Sequence, residues 1–355
     1  MSTFRLSKLF LITVVLLVLF LSSCNERTPA PLEPDLSTAE TSTVEPFPSS
    51  DHFSDTEIKI FEEIFDKEIS QISEQNLLSI TRLNIVGNHV SVAPYRLSFS
   101  KDGYAYKEKL CPYGEDYGTS LSILKYFPNL KYLGIYFCES LNDISFLETL
   151  SNLEELTVVM TGVTDFSVLQ HLDELSTLRI QCSPVDTIAL SDSNTLKSLY
   201  ITNSNIASLA PFEHLSNLEE FSLTFNRVEI SDTDALCSLK NLRLLQLIAP
   251  YYDLSFIENL DAPSLSMLTL GGYDHLDLSK ISAVSRNLSL FYLKHSNYTD
   301  LTPLDSLPAD CTIQVALSEH CTHGERTTDG APRYSYSSIS HDAFDWYYEN
   351  KNYEN

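Results

Sequence analysis

The residues best suited to chemistry lie near the end of the chain, in the segment "SEHCTHGE". This segment contains His320, Cys321, His323 and Glu325, and Cys311 precedes Cys321 by ten residues. Imidazole, thiolate and carboxylate groups at this spacing could hold a zinc ion, as a metal-dependent hydrolase would require. A Cys311–Cys321 disulfide and two unbonded thiols are the alternatives. We predict the disulfide rather than a metal site.

No other segment has a recognisable catalytic pattern. The sequence lacks the motifs GxSxG, GxGxxG, GxxxxGK and HExxH, which would position a nucleophile, a dinucleotide, a nucleotide phosphate or a zinc ion. We therefore expect no catalytic residues, no cofactor and no enzyme activity.

The composition is that of a folded but strongly acidic protein. Hydrophobic residues make up 43% of the 355 residues, so a sizeable core can form. The formal net charge is −25. Such a surface repels phosphate backbones and anionic lipid headgroups, which argues against nucleic acid as a partner and against direct docking on a membrane.

The first residues have the three parts of a secretory signal. Arg5 and Lys8 precede an apolar run over 9–21, which is shorter than the roughly 20 residues of a membrane span. The ending "LSSC" resembles a bacterial lipobox, which implies acylation of Cys24 and export to the outer face of a bacterial membrane. An ordinary signal with a chance cysteine and an uncleaved anchor are the alternatives. We predict a lipoprotein signal peptide over 1–23 and membrane contact through the lipid alone.

Two short regions separate this signal from the rest of the chain. Residues 24–53 are rich in Pro, Ser, Thr and Glu and poor in large apolar residues, so we expect a disordered tether. Residues 54–79 should form an N-terminal helical cap. Ser54 or Asp55 can begin its helix, and four apolar residues share one helical face, namely Ile58, Phe61, Ile64 and Phe65.

A pattern LxxLxL recurs at spacings of 21 to 24 residues. Counting its first leucine as position 1, the eight units begin at Leu130, Leu153, Leu175, Leu196, Leu218, Leu242, Leu265 and Leu288. Positions 4 and 6 alternate as in a strand, whereas positions 14, 17 and 20 suit a 3-10 turn. One unit cannot bury both apolar edges, so units must stack. The pattern predicts an α/β solenoid of leucine-rich repeats, with a parallel β-sheet on the concave face and 3-10 or short helical turns on the convex face.

An aspartate recurs where the chain enters the helical side of six units. We expect its carboxylate to accept hydrogen bonds from free N–H groups there, and a ladder of calcium ligands is the alternative. The six residues are Asp143, Asp165, Asp186, Asp253, Asp277 and Asp300.

The segment "DISFLETLSNLEEL" (143–156) and the repeats over 121–307 resemble the internalin-type leucine-rich repeat of bacterial surface proteins. That family usually carries Asn at position 9, and here only Asn226 does. The cell-wall sorting motif common in such proteins is also absent, and the lipid on Cys24 would replace it as the anchor.

The flanks of the repeats keep parts of the same pattern. Residues 80–120 should form a first coil with an inserted hairpin around Lys101, Asp102 and Gly103. Residues 308–355 should form a C-terminal cap and a polar tail, with the last coil at Cys311–Leu317.

The concave face of such a sheet is not needed for folding. At positions 3, 5, 7 and 8 of the eight units, only Glu155, Arg179, Glu220 and Lys294 carry full charge, and aromatic residues are frequent. A solvent-facing surface of this kind indicates ligand binding, although Thr, Tyr and Val also form strands well. We predict as ligand-binding residues Tyr132, Tyr136, Phe137, Met160, Arg179, Tyr200, Phe225 and Tyr292.

These features predict a lipid-anchored, extracellular, monomeric module that binds a protein ligand. A glycan is the alternative ligand. A structural spacer of the cell envelope is the alternative function, and the metal-dependent hydrolase ranks behind both.

Overall fold

The computed structural model describes residues 50–92, 116–192, 195–272, 276–284, 287–294, 301–317 and 334–338. The inserted hairpin around Lys101, the signal peptide with Cys24, and nearly all of the predicted tether lie outside the described residues.

The described residues form one long sheet of 12 strands, and a separate pair of short strands. The strands, numbered along the chain, are β1 Arg82–Val86, β2 His89–Ser91, β3 Tyr132–Tyr136, β4 Glu155–Val159, β5 Asp165–Phe166, β6 Thr177–Gln181, β7 Thr187–Ile188, β8 Ser198–Thr202, β9 Glu220–Thr224, β10 Leu244–Ile248, β11 Met267–Gly271, β12 Leu290–Lys294, β13 Thr312–Leu317 and β14 Tyr334–Ser338. The long sheet has the order β14-β13-β12-β11-β10-β9-β8-β6-β4-β3-β1-β2, and β5 pairs with β7.

The predicted repeats are confirmed strand by strand. Each of the eight units contributes a five-residue strand that begins two residues after its first leucine. Neighbouring units pair in parallel and in equivalent register, as when Tyr132 lies opposite Glu155 and Glu155 opposite Thr177. The chain is therefore a leucine-rich repeat solenoid with a parallel sheet.

The opposite side of the solenoid consists mainly of 3-10 helices, as positions 14, 17 and 20 predicted. They are Gly118–Tyr126, Ser145–Thr149, Ser167–His171, Ala210–Phe212, Thr233–Ser238, Ser255–Glu258, Leu278–Ala283 and Thr302–Ser306. The core lies between these helices and the sheet. At positions 4 and 6, residues such as Leu156 and Val158 are completely buried, and each contributes about 1.5–3 kcal/mol of apolar burial.

Two rows of hydrogen bonds join neighbouring coils. The carbonyl of Lys131 accepts the N–H groups of Glu154 and Glu155 at 2.8 and 2.9 Å, and the same pair of bonds recurs at position 2 of the following units. An asparagine directly before the first leucine donates its side-chain amide to a main-chain carbonyl at 2.6–2.9 Å. The acceptor lies in the preceding coil for Asn152, Asn241 and Asn287, and it is Leu78, before β1, for Asn129. This asparagine row was not predicted, although the recurring "NL" marks it in the sequence.

Position 9, where internalin-type repeats usually carry asparagine, forms side-chain hydrogen bonds between coils in only some of the units. Asn226 is buried, and its side chain bonds the main chain of the preceding unit and of its own unit. It accepts from Ile206 N–H at 2.9 Å and donates to the carbonyls of Ile206 and Val228 at 2.7 Å. Thr161 and Ser183 share one hydroxyl bond of 3.0 Å at this position.

In the sixth unit position 9 is Pro250, which has no polar side chain. The hydroxyl of buried Tyr252 forms the hydrogen bonds between strands there instead. Its hydroxyl lies 2.9 Å from the carbonyl of Leu247 and 3.1 Å from that of Gly271, and it accepts the N–H of Gly271 at 3.0 Å. Burial raises the pKa of Tyr252 above its ordinary value, so the hydroxyl keeps its proton.

A row of left-handed residues ends five successive strands. At position 8 the φ angle lies between 51° and 62° in Phe137, Met160, Cys182, Asn203 and Phe225. None of these is glycine, and for L-residues other than Asn and Asp the left-handed region costs roughly 1–2 kcal/mol each. The solenoid must therefore stabilise these turns through its hydrogen bonds and packing.

The N-terminal end of the solenoid is covered by two helices, α1 (Asp55–Phe65) and α2 (Glu74–Leu78). Ser54 and Glu57 form a capping box at the start of α1. The Phe61 ring packs 5.9 Å from that of Phe127, so α1 closes the open end of the core. Ile60, which the helical pattern did not include, is also fully buried.

Both ends of the sheet differ from the sequence analysis. At the N-terminal end β1 and β2 form an antiparallel hairpin, with Val86 opposite His89. Gly87, with φ 60°, begins its two-residue turn, and the dipeptide Gly-Asn was a signal for it. At the other end the sheet does not stop at Leu317, because β14 pairs in parallel with β13.

Candidate functional site

The face of the sheet opposite the core, which we call the concave face, carries the eight residues predicted to bind a ligand. Five of them are half-buried, namely Tyr132, Met160, Arg179, Phe225 and Tyr292. The other three were expected to face solvent, and this expectation is wrong. Tyr136, Phe137 and Tyr200 are only 4%, 7% and 4% exposed, because side chains of neighbouring coils cover them.

A small apolar cluster lies at the N-terminal half of this face, separate from the core. We call it the concave cluster. Its members come from three adjacent strands and the turns after them, namely Val86, Tyr136, Phe137 and Val159, with Met160 packed against them. The aromatic residues at this end therefore stabilise the face itself, and Met160 is the member that also reaches solvent.

Gly134 makes room for the ring of Tyr136. A Cβ at this residue would lie 2.5 Å from Cε2 of Tyr136 and 2.5 Å from Oδ1 of Asn84, which is too close for any side chain. The Tyr136 hydroxyl lies 3.1 Å from that of Tyr132. Burial, together with Tyr132, raises the pKa of Tyr136. The two hydroxyls thus form a polar pair on the face.

Two arginines are held against tyrosine rings. The guanidinium carbon of Arg82 lies 3.9 Å from the ring centre of Tyr132, and that of Arg179 lies 4.9 Å from the ring centre of Tyr200. The Tyr200 hydroxyl donates a hydrogen bond to the carboxylate of Glu220. Arg179, Tyr200 and Glu220 therefore form a fixed row across three adjacent strands.

The C-terminal half of the face is chemically different. Ser222 donates to the side-chain carbonyl of Gln246 at 2.9 Å, and both residues are buried. Lys294, counted above among the charges of this face, is 4% exposed, with its ammonium nitrogen 4.5 Å from the ring centre of Tyr292. Burial lowers the pKa of Lys294 to about 8. Lys294 therefore contributes little positive charge to the binding of a ligand.

The recurring aspartates lie on the turns rather than on the concave face. At four of the six, Oδ1 accepts the N–H two residues further on at 2.8–2.9 Å, namely at Asp143, Asp165, Asp253 and Asp277. These bonds lower the pKa of the Asp165 carboxyl. The expectation is wrong at Asp186, because β7 follows it instead of a helix. Asp300 lies outside the described residues.

A different aspartate accepts hydrogen bonds from a neighbouring coil. Asp232 accepts the N–H groups of Leu209 and Ala210 at 2.7 and 3.1 Å, where the preceding unit enters its 3-10 helix. The coils thus share carboxylates, which the sequence pattern within one unit could not reveal. The part of the chain that the structure describes contains no group of three His, Cys, Asp or Glu side chains that could hold a metal ion.

The remaining chemical predictions fall largely outside the described residues. Cys24, and the segment containing His320, Cys321, His323 and Glu325, are among the residues that the structure does not describe. Cys311 is described, and it is buried directly before β13. The Cys311–Cys321 disulfide therefore stays a prediction. Within the described ranges, no helix combines the length and the apolar character needed to cross a membrane.

Several solved structures match this chain. An internalin (InlF) from Listeria monocytogenes matches with a TM-score of 0.45 and 20% identity, over 79% of this chain and 88% of that one. A second internalin from the same organism (InlC2) matches with a TM-score of 0.36 and 16% identity, over 80% and 93%. A plant peptide hormone receptor, in complex with RGF2, matches with a TM-score of 0.40 and 15% identity, over 56% and 34%.

No protein-family model and no curated relative matches the sequence. Internalins, which the sequence motif resembles, are thus among the matching structures. The assignment of the leucine-rich repeat fold itself rests on the strands, the register and the repeats of this chain.

Proposed function

We propose that this chain is an exported, lipid-anchored binding module that holds a protein ligand on its concave face. The observation that supports the proposal most is the row of Arg179, Tyr200 and Glu220. A guanidinium stacked on a ring and a ring tied to a carboxylate are already in place before binding. Binding at such side chains loses less conformational entropy than binding at mobile ones.

The charge of the face supports the same proposal. Positions 3, 5, 7 and 8 of the eight units include two acidic and two basic residues, whereas the whole chain has a net charge of −25. Surfaces that bind proteins are depleted in charge and enriched in Tyr, Phe, Met and Arg. Half-buried Tyr132, Met160, Phe225 and Tyr292 fit that composition.

Arg179 favours a protein over a glycan as the ligand. A guanidinium over an aromatic ring retains N–H groups that match a carboxylate in two parallel hydrogen bonds. Protein surfaces offer such carboxylates, whereas neutral glycans do not. Binding to a neutral glycan array with no protein partner would overturn this part of the proposal.

The anchor rests on the sequence before and at Cys24. Acylation of this residue would place the solenoid on the outer face of a bacterial membrane, as a monomer at the end of the tether over 24–53. Incorporation of a radiolabelled fatty acid into the chain, lost in Cys24→Ser, tests this part separately. Labelling that persists in Cys24→Ser would contradict it.

The test of binding compares two triple variants of the full chain in capture experiments from cell-envelope and host extracts. The first removes three half-buried aromatic side chains of the concave face, in Tyr132→Ala, Phe225→Ala and Tyr292→Ala. The matched control removes three exposed side chains of the convex side, in Glu148→Ala, Gln170→Ala and His171→Ala. We expect a partner of the wild type that the convex variant retains and the concave variant loses.

Equal capture by both triple variants would defeat the concave face as the binding site. Capture of no specific partner by the wild type would favour the structural spacer. Circular dichroism of each variant tests whether its fold is intact, which separates loss of binding from unfolding.

A further inference from the structure

Three aliphatic side chains form a short row on the C-terminal half of the concave face. Leu244, Met267 and Leu290 occupy position 3 of three successive strands and lie directly opposite one another. Each is half-buried. Among the described residues, none of the three packs against the core or the concave cluster. We call them the apolar row.

The fold does not require apolar residues at these positions. Position 3 in the five preceding units is Tyr132, Glu155, Thr177, Ser198 and Glu220. Leucine and methionine are not among the residues with a marked strand preference, which belongs to β-branched and aromatic side chains. The apolar row is bounded by Glu220 on one side and exposed Thr312 on the other. A contiguous apolar surface with polar borders is typical of a contact site.

We propose that the apolar row binds the apolar face of an amphipathic α-helix from the partner, with the helix lying across the strands and carrying basic residues on its flanks. This inference rests on the proposed function and names the chemistry of the ligand at one part of the face. Neighbouring strands lie about 4.8 Å apart, and side chains on one side of an α-helix recur about every 5.4 Å along its axis. Over two strand spacings the mismatch is only about 1.2 Å.

An extended peptide fits this row less well. Its side chains return to the same side every two residues, or about 6.6–6.8 Å, so the mismatch over two strand spacings is about 4 Å. The row also has no exposed sheet edge beside it, because β10, β11 and β12 are each paired on both sides. A strand could therefore not add to the sheet here.

The charge of the chain determines which helix fits. The net charge of −25 attracts a cationic partner and repels an anionic one. At the border of the row, Glu220 lies directly opposite Leu244. A helix with lysine or arginine beside its apolar stripe can pack against the apolar row and is also attracted by the negative charge of the chain.

The experiment uses the full chain labelled with methyl-13C methionine and two synthetic 18-residue peptides of identical Leu and Lys composition. One peptide places leucine at helical spacing, and the other alternates leucine and lysine as in a strand. The chain has 3 methionines, and two lie on the concave face. Met267 reports the apolar row and Met160 reports the concave cluster, with Met160→Leu and Met267→Leu assigning their signals.

We expect the helical peptide to shift the Met267 signal and to bind more tightly than the alternating peptide. Because both peptides have the same charge, general attraction to an acidic protein cannot produce that difference. Met267→Lys should weaken binding of the helical peptide at least about tenfold, through lost apolar burial and a like charge. Leu290→Ser is the second variant and should weaken it in the same direction.

Equal or tighter binding of the alternating peptide, or unchanged affinity in both variants, would overturn the inference. A shift of Met160 alone would also overturn it, while leaving the proposed binding role of the concave face in place. If the triple concave variant described above keeps its partner while Met267→Lys loses the helical peptide, the apolar row stands and the proposed aromatic site fails.

Discussion

The hydroxyl of Tyr252 provides a specific test of how the coils are held together. Tyr252 is 3% exposed. Its hydroxyl accepts the N–H of Gly271 at 3.0 Å and lies 2.9 Å from the carbonyl of Leu247. Tyr252→Phe removes that oxygen and leaves the aromatic ring in place, so the perturbation is limited to hydrogen bonding.

The expected cost follows from the groups left behind. A buried N–H group without a partner costs about 1–3 kcal/mol, and a lost bond that leaves another partner available costs about 0.5–1.5 kcal/mol. The Gly271 carbonyl keeps its bond from the N–H of Ala249 at 3.2 Å, so most of the cost comes from the Gly271 N–H. We expect Tyr252→Phe to lower the free energy of unfolding by about 2–4 kcal/mol.

Urea unfolding followed by far-UV circular dichroism measures the change, and hydrogen exchange at the Gly271 amide shows whether it is local. Tyr251→Phe is the matched control, because Tyr251 is the adjacent tyrosine and is 58% exposed. We expect the control to stay within about 0.5 kcal/mol of the wild type. Equal effects of the two variants, or unchanged exchange at Gly271, would refute the role given to Tyr252.

Three further predictions concern single residues. Lys294 has a pKa of about 8 in the folded chain against 10.5 in the unfolded one. Between these pH values the unfolded chain binds more protons, so the free energy of unfolding should rise with pH by up to about 1.4 kcal/mol per pH unit. Urea midpoints at pH 7 to 10 should show this rise in the wild type and not in Lys294→Met. Cys182 has a φ of 51°, so Cys182→Val should lower stability by about 1–2 kcal/mol while Cys182→Asn leaves it nearly unchanged, and comparable urea midpoints would contradict the strain. Gly134→Ala should displace the Tyr136 ring and lower stability by about 1–3 kcal/mol; an unchanged near-UV circular dichroism spectrum and urea midpoint would show that the ring does not need the space.

The repeat architecture could be predicted from the sequence because its cause is local. Apolar side chains at positions 4 and 6 must point to the core in every unit, so the eight leucine spacings fix where each strand begins. Leu133 and Ile135 in β3 are completely buried, as are the equivalent residues Leu156 and Val158 in β4. The 3-10 helices on the opposite side could be predicted in the same way, from the three-residue spacing of the apolar positions 14, 17 and 20.

The details of the concave face could not be predicted, because they depend on contacts between coils. Tyr136 is buried among Val86 and Val159 of the two neighbouring strands, and Tyr200 is buried beside Arg179 and Glu220 of two other coils. Nothing within one repeat distinguishes such a residue from half-buried Tyr132. The asparagine row could have been found, because its pattern lies within the repeat, and so could the Gly87 turn.

The acidic residues illustrate the same limit. Asp143 accepts the N–H of Ser145 within its own unit, as the motif predicted. Asp232 accepts N–H groups of the preceding unit, which only the stacking of coils reveals. The sequence pattern therefore predicted the bonds within a unit at Asp143, Asp165, Asp253 and Asp277, and it gave no sign of the bonds that Asp232 makes to the preceding unit.

Site-specific photocrosslinking tests the central claim most directly. The photoreactive residue p-benzoylphenylalanine is placed either at Tyr132 on the concave face or at Gln170 on the convex side of the full chain, which is then exposed to the captured partner and irradiated. We expect a covalent adduct from the Tyr132 site and none from the Gln170 site. An adduct from Gln170 with none from Tyr132 would show that the ligand binds elsewhere on the solenoid.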